Sequence, residues 1–374
     1  MKQLRKDGRP IKVAMVTNIP APYRIPVYEN LVRHEDMDLC VFFCSGREPD
    51  RAWDLQQASY KQIYFKEKFL TYRGRFIHCN PDVWSRLREF APDVVVTTGF
   101  NPSFIFAYIY ARMHGARHVA MTDGTYFTEG TLSWVHRLVR RWVYGGTRAF
   151  IGASQGSFEL YRSYGIGQDQ MFQSHLCANN AIYHPRLSDD GKRFDFVFSA
   201  RFIAAKNPDF AMAVAQMVAR KIGRRTSLLM MGSGELDDEL RRRAAEIAVD
   251  VDVVFAGFVK QTDLPDHYAS ARVMLFPTQI DTWGVVANEA FAAGVPVIVT
   301  PMAGVAGDLV LDGRNGRVLP LDVDAWAEAA ATLLRDTSQR EQFARHGMAH
   351  VQSFSYEHAA QGIYDAVRYS LKRA

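Results

Sequence analysis

The chain has 374 residues, enough for two domains of ordinary size, with 48% apolar and 23% charged residues. That balance excludes a disordered, collagenous or coiled-coil chain, and a polypeptide of this length buries a core without a metal or disulfide staple. The 45 basic and 40 acidic side chains leave a net charge of +5, which suits a small anionic ligand or an anionic membrane surface and is too weak to indicate nucleic acid.

Four cysteines, Cys40, Cys44, Cys79 and Cys177, make no CxxC pair and no zinc-spaced set, and they read as buried cytosolic thiols. Lys2, Arg5 and Lys6 precede an apolar run of only Val13 to Val16, shorter than the ~7–15 residues of a secretory core. The longest uncharged stretch, Val94 to Ala111, is broken by Gly99, Asn101 and Pro102, so it reads as strand, loop and helix start. The expectation is a cytoplasmic protein.

Short β-branched runs alternate with amphipathic segments along the first half. Strands are predicted at Lys12–Asn18, Leu39–Cys44, Asp93–Gly99, His118–Asp123 and Ala149–Ser154. Helices are predicted at Ile25–His34, Val83–Phe90, Phe104–Met113 and Ser133–Tyr144. The rhythm restarts with strands at Phe194–Ala200, Ser227–Gly232, Asp252–Ala256, Val273–Pro277 and Pro296–Thr300. Helices at Phe210–Ile222, Glu235–Val249 and Ala287–Ala293 lie between and after them.

Such alternation specifies parallel sheets covered on both faces. Two series give two doubly wound domains, predicted as 1–186 and 187–354, with the junction in the Pro, Asp and Gly cluster of Tyr183–Arg193. The tail, 355–374, reads as a helix packing back on the first domain.

Ligands of open α/β sheets bind beyond the carboxyl ends of the strands, and two such domains would face a central cleft. Chemistry should therefore gather in the loops after strands. Arg201 and Lys206 follow one strand and precede a helix, a design suited to a diphosphate. Gly232 and Gly234 follow the next strand and would let a ligand approach the backbone, but Asp237 stands at the third glycine position of a dinucleotide fingerprint. After Val273–Pro277 come Asp281, then Gly284, Val285 and Val286 opening a helix, then Glu289. The amides there suit a phosphate and the two acids suit vicinal hydroxyls.

The segment Ser133–Tyr144 is a basic amphipathic helix. Trp134, Val135, Leu138, Val139, Trp142 and Val143 fill one half, and His136, Arg137, Arg140 and Arg141 the other. Two readings stand: a core-facing helix with a solvated basic face, or a helix docked on an anionic inner leaflet near a lipid-linked acceptor.

Taken together, Ser199-Ala200-Arg201…Lys206, Gly232-Ser233-Gly234-Glu235, Phe255-Ala256-Gly257, Phe276-Pro277-Thr278, Asp281-x7-Glu289 and Ala293-Gly294-Val295-Pro296 resemble the retaining GT-B glycosyltransferases of family four. The first-strand loop Asn18–Pro26 is similar to one branch of that family. The resemblance implies a GT-B fold and transfer of a sugar from a nucleoside-diphosphate sugar to an acceptor hydroxyl with retention. It also implies a place in polysaccharide, lipopolysaccharide or glycolipid assembly.

Arg201 and Lys206 would hold the diphosphate, the amides of Gly284, Val285 and Val286 would touch phosphates, and Glu289 would hold the ribose. The loop Gly257–Lys260, including Val259, would lie near the base, and Asp281 would contact the donor sugar. Two departures from the family pattern stand out. Asp281 replaces the usual Glu, and Thr122-Asp123-Gly124 stands where an acceptor-side His is usual. Asp123 takes that role or the acceptor is held differently, with Tyr23 and Arg24 as further acceptor-side residues. No cofactor or metal is expected, since no DxD pair in the strand-end loops reads as a metal site. The rivals are a nucleotide-sugar epimerase of the same fold, a nicotinamide dehydrogenase and a non-catalytic nucleotide-sugar-binding subunit.

Overall fold

The computed structural model of the chain describes residues 8–46, 58–72, 75–130 and 132–372. It divides into two compact units, 1–177 with 356–374, and 178–355.

The first unit runs β1 (Ile11–Thr17), α1 (Ile25–Leu31), β2 (Met37–Phe43), β3 (Lys61–Tyr64), β4 (Phe69–Tyr72), β5 (Arg75–His78), α2 (Val83–Phe90), β6 (Val94–Thr97), α3 (Pro102–Met113), β7 (Arg117–Thr122), α4 (Tyr126–Glu129), α5 (Trp134–Gly145), β8 (Ala149–Gly152), α6 (Gln155–Ser163) and β9 (Met171–Gln173). The seven-stranded sheet has the order β3-β2-β1-β6-β7-β8-β9, and β4 pairs with β5 separately. Its strands are parallel, with Val13 beside Leu39 and Val94. Alternation along β1 sends Val13 and Met15 into one core and Ala14 and Val16 into the other. With helices on both faces, the strands are apolar throughout rather than half polar.

The second unit runs β10 (Phe194–Ser199), α7 (Pro208–Ile222), β11 (Thr226–Met231), α8 (Asp237–Glu246), β12 (Val251–Gly257), α9 (Leu264–Ala269), β13 (Ala271–Phe276), α10 (Val285–Ala292), β14 (Val297–Val299), β15 (Gly316–Val318), α11 (Val323–Arg335) and α12 (Thr337–Val351). Its six strands take the parallel order β12-β11-β10-β13-β14-β15. Phe196, Phe198, Met230, Val273 and Ile298 meet α7 and α11 through Val214, Val218 and Trp326. Both units are doubly wound Rossmann-like sheets, as the alternation of patterns predicts.

The last helix, α13 (Tyr356–Ser370), returns to the first unit. Ala359, Ile363 and Val367 are fully buried in the core that holds Val13 and Met15. Tyr364 and Arg368 both donate to Asp36 at 2.9 Å. A side chain at Gly362 would collide with the Gln173 carbonyl of β9.

Three features differ from the sequence reading. The change of unit falls at Cys177/Ala178 rather than at 186/187. The intervening residues pack with the second unit: Tyr183 is buried edge-on to Tyr268, and Asn180 donates to the Val351 carbonyl at 3.0 Å. Composition marks exposure there, not attachment. Secondly, the short edge strands β3, β9 and β15 and the hairpin β4–β5 were not predicted, because runs of three or four residues with polar members carry no legible alternation.

Thirdly, α5 does not bury its apolar half as the core-facing reading expects. Val143 and Tyr144 turn inward, and Arg140 ion-pairs with Glu129 over the Phe100 ring, while Trp134, Val135, Leu138 and Trp142 are exposed. Among the described residues no helix is long and apolar enough to cross a membrane.

The tail helix is thus part of a core rather than an appendage. Ile363→Ala should cost about 2–5 kcal/mol in urea denaturation; a loss under about 1 kcal/mol would mean that α13 covers little.

Candidate functional site

In the second unit the chemistry gathers at the carboxyl ends of β10, β11, β12 and β13. Arg201 is exposed two residues beyond β10, and Lys206 ends the 3-10 turn Ala204–Lys206. Asn207 adopts a left-handed conformation (φ 56°) and caps α7, whose first residue is Pro208.

Lys206 Nζ lies 2.5 Å from Asp281 Oδ2, with the two side chains 17% and 21% exposed. The other Asp281 oxygen accepts the Trp283 N–H at 3.2 Å. Asp281 is fixed from behind as well: its N–H donates to the Met302 carbonyl and its own carbonyl accepts from Gly304. Any side chain at position 304 would strike the Thr282 carbonyl.

Trp283 is fully buried, donates to Asn288 at 2.9 Å and packs on Phe354. It seats Gly284, which caps α10 at φ 109°. The amides of Gly284, Val285 and Val286 therefore occupy the first turn, where a helix has no acceptors of its own and carries positive partial charge.

Glu289 sits one turn further along α10, half-buried, and its Oε2 accepts the Tyr268 hydroxyl at 2.7 Å. Burial pushes its carboxyl up to about 7, against the opposing pull of that hydrogen bond. Tyr268 is itself fully buried on α9.

The glycines of the β11 loop also have a role in the fold. A Cβ at Gly232 would meet the Ala200 carbonyl, and one at Gly234 the Phe202 backbone. Their open sides are filled by the Arg201 loop, which is tied to them by Ala200 N–H to Met231 and Phe202 N–H to Ser233. On the side that a Cβ would take they admit the neighbouring loop. Val259 is half-buried beyond β12, beside Phe258, which is 74% exposed.

The first unit has its own cluster at the ends of β1, β6 and β7. A cavity of about 160 Å³ is lined by Thr17, Asn18, Tyr23, Arg24, Thr122 and Asp123, among others. Arg24 is 6% exposed. It donates to Asp123 at 2.8 Å, to Ser174 Oγ at 3.1 Å and to the His175 carbonyl at 3.3 Å. Burial works against its charge, Asp123 supports it, and the net effect raises the guanidinium. Arg24 thus holds Asp123 in place while itself lining the cavity, where the sequence reading puts acceptor-side residues. No group of three His, Cys, Asp or Glu side chains among the described residues could hold a metal ion.

Sequence reasoning missed Tyr268, Gly304 and the anchoring role of Trp283. Only Trp283 carried a signal, as the one aromatic residue inside a mostly polar loop.

Residues 180–350 match the family model described as glycosyl transferases group 1. Over 176 residues the chain is 30% identical to the D-inositol 3-phosphate glycosyltransferase of Nocardia farcinica, covering 45% of this chain and 39% of that protein. Over 154 residues it is 33% identical to the GDP-mannose-dependent alpha-(1-6)-phosphatidylinositol monomannoside mannosyltransferase of Mycolicibacterium smegmatis, covering 39% of this chain and 40% of that one. The match thus spans about two fifths of the length of these relatives.

The fold is that of GT-B glycosyltransferases. Anabaena Alr3699/HepE, solved in complex with UDP, superposes with a TM-score of 0.74 at 16% identity, covering 96% of this chain and 100% of that one. WaaG, a glycosyltransferase involved in lipopolysaccharide biosynthesis, superposes at 0.67 with 16% identity, covering 95% and 99%.

Two outcomes follow. The folded chain holds the Glu289 proton more tightly than the unfolded chain does, so this carboxyl costs stability as pH rises from 4.5 through about 7. Glu289→Gln should therefore be more stable than the parent at pH 8 by on the order of 1–3 kcal/mol, with little difference near pH 4.5, in urea denaturation. A gap independent of pH would dismiss the shifted carboxyl.

Arg24→Ala should lose on the order of 3 kcal/mol, since it strands Asp123 and two buried acceptors. A variant that melts like the parent would leave Arg24 a ligand-contact role alone.

Proposed function

We propose that the protein is a metal-independent glycosyltransferase that moves a sugar from a nucleoside-diphosphate sugar to an acceptor hydroxyl, with retention of configuration. The observation that carries this reading is the placing of Lys206 against Asp281 beside the first turn of α10, with Glu289 one turn on.

A diphosphate leaving group gains negative charge as the glycosidic bond breaks. Lys206, Arg201 and the α10 amides of Gly284, Val285 and Val286 stabilise that charge, a contribution that preorganised donors make strongly in partly desolvated sites. Asp281 accepts from hydroxyls of the donor sugar, and Glu289 from vicinal hydroxyls of the ribose. Val259 and its loop border the base. The acceptor oxygen attacks the anomeric carbon on the face that the phosphate leaves, and its proton passes to the departing phosphate oxygen. No enzymic base is then required, and Asp123 serves to orient acceptor hydroxyls beside Tyr23.

The chemistry of the first-unit cavity narrows the acceptor. Its volume of about 160 Å³ is on the scale of one sugar ring, and its lining cation, Arg24, is already matched by Asp123. A neutral polyhydroxyl terminus of a glycan or glycolipid suits it better than a phosphorylated one. The names of the Mycolicibacterium smegmatis mannosyltransferase and of WaaG agree with glycolipid or cell-envelope assembly, and a peripheral place on the inner membrane leaflet is the setting that this reading fits.

Lys206→Ala and Arg201→Ala should each lower turnover about 10²-fold or more, with the fold intact by melting. Full activity in both would overturn the assignment. The anomer formed, read by NMR, should keep the donor's configuration; an inverted product would make Asp123 a base. Conversion of the donor sugar without an acceptor would favour an epimerase. Nucleoside diphosphate at 100 times its Kd should stabilise by about 2.7 kcal/mol in a thermal-shift assay, and binding without transfer to any acceptor would leave a non-catalytic subunit.

A further inference from the structure

The helix α5 shows an arrangement that a core helix would not. Trp134 is 73% exposed, Leu138 59%, Trp142 52% and Val135 47%. At about 100° per residue these four fall within an arc of roughly 100°, and Arg141 and Arg137 border the same arc on one side. The inward side of the helix is already complete, with Val143 and Tyr144 in the core and Arg140 paired to Glu129. The exposed stripe therefore has no place in this fold.

Next to it lies a cavity of about 510 Å³ lined by Tyr126, Trp134, Arg137, Leu138, Arg141 and Tyr164, among others. Tyr126, on α4, is itself 54% exposed and extends the apolar surface. Soluble monomers rarely leave contiguous apolar surface of this kind uncovered.

We propose that α5 is the face by which the protein docks on an anionic lipid bilayer, with Trp134, Leu138 and Trp142 entering the interface and Arg137 and Arg141 binding lipid phosphates in the adjoining cavity. Charge selects this occupant. Indole rings suit the headgroup boundary, where one edge meets hydrocarbon and the N–H meets water. Guanidinium groups at the border of an apolar stripe are attracted to anionic lipid, and their stems lie along the apolar surface while the charged heads stay at the phosphates. A second copy of the chain is a poorer fit, because an antiparallel two-fold contact through this stripe brings each copy's Arg137 and Arg141 to the same border as those of its mate. The inference deepens the membrane setting proposed above. Its test uses no sugar transfer, so either reading can fail alone.

The experiment is vesicle flotation of the full chain with phosphatidylcholine alone and with mixed phosphatidylcholine–phosphatidylglycerol vesicles. The parent protein should float with the mixed vesicles, weakly or not at all with the neutral ones, and less at high salt. Arg137→Glu with Arg141→Glu should weaken binding at least about tenfold. Trp134→Ser with Leu138→Ser should abolish it, and both variants should melt as the parent does, because the changed side chains are exposed. Trp142 is left in place because its ring packs on Tyr108 and its carbonyl accepts the Tyr108 hydroxyl. Failure of the parent to float, or flotation of the charge-reversed variant at parental strength, would overturn the proposal. Light scattering that shows a dimer, converted to monomer by Trp134→Ser with Leu138→Ser, would overturn it in favour of self-association.

Discussion

The Lys206–Asp281 contact is the constraint around which the second unit's strand-end surface is built. It joins two loops 75 residues apart in sequence, one after β10 and the other after β13. Both side chains retain some exposure, so the pair gains little from being an ion pair alone. Its value lies in position. An ammonium held against a carboxylate near a helix N-terminus is a cation whose partner can be exchanged. In the function proposed here, an arriving anionic group would share the lysine and leave Asp281 available to hydroxyls. The same contact thus keeps the two groups from collapsing onto other partners.

Such a contact needs a rigid frame, and the frame is apolar. Trp283 fixes the start of α10 by burial and by its bond to Asn288. Tyr268, with no solvent contact, fixes Glu289 from α9. Gly304 lets the loop after β14 lie against Asp281, and Gly232 and Gly234 let the Arg201 loop lie against β11. In each case a polar group that meets water is backed by a group that does not. The rotamer entropy that a ligand would otherwise have to remove is largely spent on folding.

This division explains what could be read from the sequence. The doubly wound units were legible because parallel strands buried on both faces appear as unbroken apolar runs, as in β6 (Val94–Thr97) and β13 (Ala271–Phe276). Charged residues directly after such strands stood out for the same reason. The supporting side chains did not. Tyr268 precedes Glu289 by 21 residues and meets it only through the packing of α9 on α10. At Gly232 and Gly234 the sequence cannot say which backbone fills the space on the Cβ side. The face of α5 was ambiguous for a related reason: a helical pattern gives the angle between side chains, while the direction of the core is set by α3, α6 and the Glu129–Arg140 pair.

The first unit follows a different electrostatic logic from the second. Its strand-end cluster also pairs a cation with an acid, but Arg24 is engaged by Asp123, Ser174 and His175 together and has no freedom to exchange. A planar guanidinium with several fixed acceptors behaves as part of the scaffold, unlike an ammonium on a four-carbon stem. Asp123 keeps a 36% exposed side chain and unused acceptor capacity toward the cavity, with its charge already matched. A site of that kind orients neutral hydroxyls and adds no net charge to attract or repel a phosphate. The exchangeable cation thus lies in the unit proposed to release a diphosphate, and the locked one in the unit proposed to hold a sugar ring, as the differing demands of a departing anion and a neutral nucleophile require.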